Sequence, residues 1–244
     1  TASSPPSAFV RGVRPFKAAA ASQDPDIWPD IWNVGGDGSS TRLPAGSLLF
    51  VEESEVVSLF KVRHGVLMLY KLLPDGRRLV TDFVFPGQIV ELTTEPRLHQ
   101  SAEAITPVVL TGVARGRFEE ALNTRPEFEC WFFSMLRRDL RTTHDRLLSL
   151  GRRTARARIA YFLLDLSKRA ARRGDPTKLV WVPMNRQAIG DHLGLTLETV
   201  SRVLSGFGRR RLIHLHSAHL IELLEPDRLA SIASGYALSA RGER

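Results

Sequence analysis

The sequence predicts an α+β fold in three parts: a β-roll over residues 41–125, a long dimerisation helix over 126–150, and a winged helix-turn-helix domain with a C-terminal tail over 151–244. A disordered or poorly ordered N-terminal tail, 1–40, precedes them. Three observations predict this order. Short apolar runs broken by Pro and Gly turns fill the first half. An apolar repeat of alternating three and four residues follows. Then "GDHLGLTLETVSR", residues 190–202, ends one short helix at a glycine and opens another on a threonine cap.

The tail, "TASSPPSAFVRGVRPFKAAAASQDPD", is rich in Ser, Pro and Ala and lacks the continuous apolar core of a secretory signal. With 244 residues, 43% of them hydrophobic, the chain can bury a sizeable core. Its formal net charge of +8 points to a polyanionic partner. Nucleic acid fits better than membrane, because no stretch approaches the roughly 18 apolar residues that a span needs. The one cysteine, Cys130, excludes an intramolecular disulfide framework and any all-cysteine metal site within a chain. A reducing, cytoplasmic location is expected.

From residue 43 to 113 the runs "SLLFV", "VSLFKV", "GVLMLYKLL", "RRLVTDFVF", "GQIVEL" and "AITPVVLTGV" are separated by turns such as Pro74-Asp75-Gly76 and Pro86-Gly87. Many short strands with such turns imply an antiparallel sandwich or roll. At Arg125-Pro126 the period lengthens. Phe133, Leu136, Leu140, Thr143, Leu147 and Leu150 form a coiled-coil-like seam, while Phe128, Phe132 and Met135 form a second stripe on an adjacent face. One stripe can pack on the helix's own domain. The other asks for a second copy, so a homodimer is expected.

Next comes a basic helix, "RRTARARIAYFLLDLSKRAARRG", with Ile159, Phe162, Leu163 and Leu166 on its apolar face. Some of its arginines could lie near phosphates, although a charge run is usually only a solvated face. In "LVWVPMNRQAIGDHLGLTLETVSRVLSGFGRRRLIHLHSAHLIELL" the pattern is strand, helix, turn, helix, strand, turn, strand. Asn185 is a candidate cap for a helix over 186–193, Gly194 for the left-handed turn, and Thr196 for the second helix. Val200, Val203, Leu204 and Phe207 form the second helix's buried stripe, and Gly206 and Gly208 are expected to loosen its end.

With that stripe inward, Glu198, Ser201 and Arg202 share the outward face. Arginine can donate two hydrogen bonds to guanine, glutamate can accept from cytosine N4, and serine can contact several base edges. The competing reading is a Glu–Arg surface pair worth a few tenths of a kcal/mol. It does not account for the pair's place at the start of a helix that enters the major groove.

This order of parts resembles the Crp/Fnr transcription regulators, and "MNRQAIGDHLGLTLETVSRVL" is similar to their C-terminal signature. The likeness covers residues 43–227, with "GVLMLYKLLPDGRRLVTDFVFPGQIV" matching a cyclic-nucleotide-binding-type roll. Glutamate, serine and arginine at this spacing resemble the Fnr and FixK branches; the cyclic-AMP branch has an arginine before the glutamate and a glycine in place of the serine, where this chain has Leu197 and Ser201. The resemblance implies a homodimer on TTGAT-type inverted repeats, with Glu198, Ser201 and Arg202 reading bases. It implies Arg186, Gln187, Thr196 and Thr199 on phosphates, and RNA polymerase as a partner.

The same resemblance bears on the input signal. A cyclic-AMP pocket needs an acid after the "PG" turn and an arginine before a serine; here Glu91 is displaced by one, Leu92 stands at the acid position, and Gln100 precedes Ser101. That argues against cyclic nucleotide. An iron–sulfur cluster needs several cysteines, and there is only Cys130, which could be a redox-sensing thiol but more commonly would be a packed side chain beside Trp131. Haem is the alternative input, with His64, His99 or His144 as axial ligand, each a lone histidine. His214, His216 and His219 lack a fourth ligand for zinc, so no metal site is expected. The reading that needs least is a FixK-like activator with no cofactor, governed by its own amount.

An enzyme of the metal-dependent jelly-roll type would need two histidines and an acid inside the roll, and the only His-x-His lies past the helix-turn-helix. No catalytic set is expected. A purely structural role for the long helix and basic surface would predict weak, salt-sensitive DNA binding that is indifferent to sequence.

Overall fold

A computed structural model describes residues 30–32, 40–152, 154–172 and 178–234, except for the side chains of 30, 146, 148–152 and 172. Eight strands alternate with tight turns: β1 (Ser40–Leu43), β2 (Leu48–Phe50), β3 (Ser58–His64), β4 (Leu67–Leu72), β5 (Arg78–Val84), β6 (Ile89–Val90), β7 (Ser101–Ala104) and β8 (Val108–Ala114). They form two antiparallel four-stranded sheets, ordered β1-β8-β3-β6 and β2-β7-β4-β5. Inward residues of both sheets, including Val62, Leu110, Leu69 and Ala102, make one buried cluster. This is the expected roll.

Helix α1 (Arg115–Thr124) closes the roll and α2 (Pro126–Arg152) leaves it. Phe128 and Phe132 of α2 pack edge-on to Phe118 of α1 and Met135 lies half-buried against the same cluster, as the second stripe predicted, while Trp131 stacks on Phe128. The same cluster takes in Ile31 and Trp32, each 4% exposed, from a 3₁₀ turn at Asp30–Trp32. Here the structure differs from the expected tail: two large apolar side chains gain more from burial than the short segment loses in freedom. The remainder of 1–39 lies outside the described residues.

The C-terminal domain is α3 (Ala155–Arg172), β9 (Leu179–Trp181), α4 (Arg186–Leu193), α5 (Leu197–Arg209), β10 (Ile213–Leu215), β11 (Leu220–Leu223) and α6 (Pro226–Ala233). The wing is a sheet of three strands, β10-β11-β9. Helix α6, which the sequence reading omits, starts with proline in its first turn and buries Leu229 and Ala233. Gly206 and Gly208 do not loosen α5, because Phe207 between them is buried and anchors the last turn. One large apolar cluster runs from Val80, Phe83 and Phe85 of the roll into α3, α4 and α5. Among the described residues no helix is long and apolar enough to cross a membrane.

The crossing of α4 and α5 depends on Gly190. A methyl group built there would sit 2.5 Å from the Leu195 carbonyl oxygen, which is backbone and cannot swing aside. Gly190→Ala should therefore cost about 1–3 kcal/mol of stability, read as a lower urea midpoint. Gly206→Ala, with nothing within 4 Å of the added carbon, should instead gain up to about 1 kcal/mol of helix propensity.

Candidate nucleic-acid interface

The helix-turn-helix is assembled by short-range hydrogen bonds. Asn185 accepts from the Ala188 amide at 2.8 Å and caps α4. Gly194, at φ 62°, ends it in the left-handed conformation that suits glycine. Arg158 of α3 donates through Nη1 to the Leu193 carbonyl at 2.9 Å and to that of Gly194 at 3.3 Å, putting positive charge on the helix's C-terminal carbonyls. Thr196 caps α5 by accepting from the Thr199 amide at 3.2 Å.

Helix α5 then buries Val200, Val203, Leu204 and Phe207, as the sequence predicts. Glu198 and Arg202 are exposed and Ser201 is half-buried on the opposite side. Hydrogen bonds from its own amide and from the Thr196 hydroxyl hold the Glu198 carboxyl below its ordinary range. It is an ionised acceptor. Among the described residues no ion pair joins Glu198 to Arg202; Arg202 Nη2 instead lies 3.4 Å from the Thr199 hydroxyl. The competing reading of a surface salt bridge thus lacks its bond.

The four residues expected on phosphates are differently placed. Thr196 and Thr199 sit at the start of α5, their hydroxyls 3.1 Å apart. Gln187 is exposed and donates to Asp191 at 2.6 Å on the same helix. Arg186 is half-buried; its Nη1 is buried without a hydrogen-bond partner, and burial lowers its pKa from the ordinary value. Arg209, Arg210 and Arg211, which the sequence reading passes over, are exposed at the C-terminal end of α5. On the wing, His216 Nε2 lies 2.9 Å from Glu222 Oε2 and the His214 ring stands edge-on to it. Among the described residues no three His, Cys, Asp or Glu side chains are grouped to hold a metal ion.

On α2, Phe133, Leu136, Leu140 and Leu147 are 45%, 36%, 57% and 62% exposed. Thr143 is also exposed, and the side chain of Leu150 lies outside the described residues. Cys130 is half-buried beside this seam. His64, His99 and His144 are exposed on three separate segments.

In the roll, at the positions that a cyclic-AMP pocket would use, the chain engages its own groups. Gln100 meets the Thr81 hydroxyl, which also donates to the Leu69 carbonyl at 3.1 Å. Ser101 accepts from the Glu52 amide at 3.0 Å. Glu91 accepts from the His99 amide at 2.7 Å, its second oxygen is buried without a partner, and burial raises its pKa.

Residues 40–125 match the cyclic nucleotide-binding domain family and residues 157–232 match the Crp-like helix-turn-helix domain family. The chain is 35% identical over 198 residues to the nitrogen fixation regulation protein FixK of Bradyrhizobium diazoefficiens, covering 81% of this chain and 83% of that protein. It is 37% identical to the transcriptional activatory protein AadR of Rhodopseudomonas palustris, covering 76% and 77%. The solved structure of FixK2 from Bradyrhizobium japonicum superposes with a TM-score of 0.75 at 32% identity, covering 84% of this chain and all of that one.

Proposed function

The chain belongs to the Crp/Fnr family of DNA-binding transcription regulators, and from that premise we propose that it works as a cofactor-independent homodimer that reads TTGAT-type inverted repeats in the manner of a FixK-like activator. It is a regulator rather than an enzyme.

The observation that carries the base-reading part is the outward face of α5. Glu198 and Arg202 are exposed, are not tied to each other, and stand on a helix whose other face is fully committed to the core. In the major groove Arg202 would donate two hydrogen bonds to a guanine, Glu198 would accept from a cytosine amino group, and Ser201 would add a contact of lower selectivity. Thr196, Thr199, Gln187 and Arg186 would set the register on phosphates, which needs Gln187 to leave Asp191 and Arg186 to swing outward.

The dimer reading rests on the α2 seam. Four large apolar side chains on one stripe are costly to leave in water, and a second α2 supplies the matching surface. Cofactor independence is supported by the interior of the roll. An amide at Gln100, already turned to Thr81, offers a cyclic phosphate no charge, and the Glu91 carboxyl nearby would repel one once ionised. The residues present do not fit a cyclic nucleotide. Activity would then follow the amount of protein, with Cys130 as a candidate site of oxidative modification, RNA polymerase as partner and the cytoplasm as place of work.

Aerobically purified protein without added ligand should bind a TTGAT-N4-ATCAA duplex and discriminate against a scrambled one by fluorescence anisotropy; equal binding to both refutes base reading, and binding only after a small molecule is added refutes cofactor independence. Arg202→Ala should lose about 1–3 kcal/mol of discrimination at one base pair, whereas Thr199→Ala should weaken all sequences alike. Leu140→Glu should shift the sedimentation coefficient to that of a monomer.

A further inference from the structure

We propose that strand β5 ties the interior of the roll to the orientation of the recognition helix, with Arg169 and His192 as the positioning residues that make the tie. This rests on the DNA-reading role given to α5 above.

Three consecutive residues of β5 each hold something different. Val80 presents its carbonyl to His192 Nδ1 of α4 at 3.1 Å, a hydrogen bond in the tautomer that carries the proton on that nitrogen. Thr81, the extra residue where the register between β4 and β5 shifts, engages Gln100 of the roll. Asp82 meets Arg169 Nη2 of α3 at 3.4 Å while accepting from the Phe83 amide at 2.7 Å.

Arg169 uses its whole planar head. Nε donates to Asp165 on its own helix at 2.8 Å, and Nη1 donates to the Phe83 carbonyl at 3.0 Å. Its guanidinium carbon lies 5.9 Å from the centre of the Phe85 ring. A guanidinium only 13% exposed cannot lose these partners without stranding a charge away from water. Around it Phe83 packs edge-on to Phe162, 6.3 Å between ring centres, and against His192 at 5.1 Å. The two domains therefore meet through a shared apolar core with fixed polar bonds at its edge, not through a lubricated surface.

The consequence for DNA concerns geometry. In this docked arrangement the Glu198–Arg202 face stays open, so docking does not block reading. It fixes where α5 points relative to α2. A dimer must present two recognition helices about 34 Å apart, so fixing them beforehand favours a full site, while a single half-site is indifferent to it. The bond from Thr81 to Gln100 holds β5 from the roll side, at the position where the resemblance would place a ligand contact.

The test uses the full chain and the ratio of its affinities for an inverted repeat and for a single half-site, both by anisotropy. Arg169→Met with His192→Phe leaves an apolar chain and a ring in the core and removes all three inter-domain polar bonds, those of Arg169 to Asp82 and to the Phe83 carbonyl and that of His192 to the Val80 carbonyl. The ratio should fall about tenfold, with half-site affinity unchanged. Thr81→Val, a change in a side chain bonded to Leu69 and Gln100 of the roll, should lower the same ratio in the same direction and by less. A ratio that is unchanged or rises in the double variant overturns the proposal. Calorimetry keeps the proposal separate from the base-reading assignment: wild-type protein should melt in one transition and the double variant in two, whether or not the wild type prefers TTGAT sites, and a single transition in both overturns the tie.

Discussion

What the recognition helix offers to DNA depends first on how closely it can be held to the helix before it. The Leu195 carbonyl enters the space where a side chain of residue 190 would stand, and the Leu195 amide returns a hydrogen bond to Gly190 at 2.9 Å. With that approach fixed, the four apolar residues of α5 have one place to go, and the polar residues between them are turned outward. The turn is held at both ends by charge and caps: Arg158 on the carbonyls of α4, Thr196 on the first amides of α5. No part of this requires DNA to be present. The outward face of α5 is a by-product of packing, as a rigid scaffold for a binding site should be.

The same logic runs into the roll. A domain that would serve as a ligand pocket in a cyclic-nucleotide-binding protein here commits polar side chains to its own groups, Gln100 to the Thr81 hydroxyl, Ser101 to the Glu52 amide and Glu91 to the His99 amide. The first two of these bonds are partly buried and satisfy groups that burial would otherwise penalise. The large cluster that joins β5 to α3, α4 and α5 then makes the roll a structural base for the DNA-binding domain rather than an appendage to it.

Much of this was legible in the sequence because it is local. Asn185, Gly194 and Thr196 mark the ends of two helices by their own backbone chemistry, and the spacing of Val200, Val203, Leu204 and Phe207 shows which side goes in. Both stripes of α2 could be read from period alone, and the structure divides them into one buried and one exposed. What the sequence does not reveal is long-range. Arg158 and Arg169 belong to a run of basic residues that reads as a solvated face, yet each is committed to backbone carbonyls distant in sequence. Nothing near Arg186 announces that one of its nitrogens is sequestered, or near Ile31 and Trp32 that the end of a polar tail is buried. Pro226 with Asp227 was the available signal for α6, a helix start written in the ordinary way but followed by too few apolar residues to show a period.

The exposed seam of α2 has a consequence for response rather than for structure. If a second chain is what covers Leu140 and Leu147, then below the dimerisation constant the number of competent pairs grows with the square of the number of chains. Promoter occupancy would then rise more steeply than synthesis does. A regulator whose activity followed its amount alone would then still make a threshold: doubling its copies would quadruple its pairs, and ordinary proteolysis, by halving the copies, would silence its sites faster than it removed the protein.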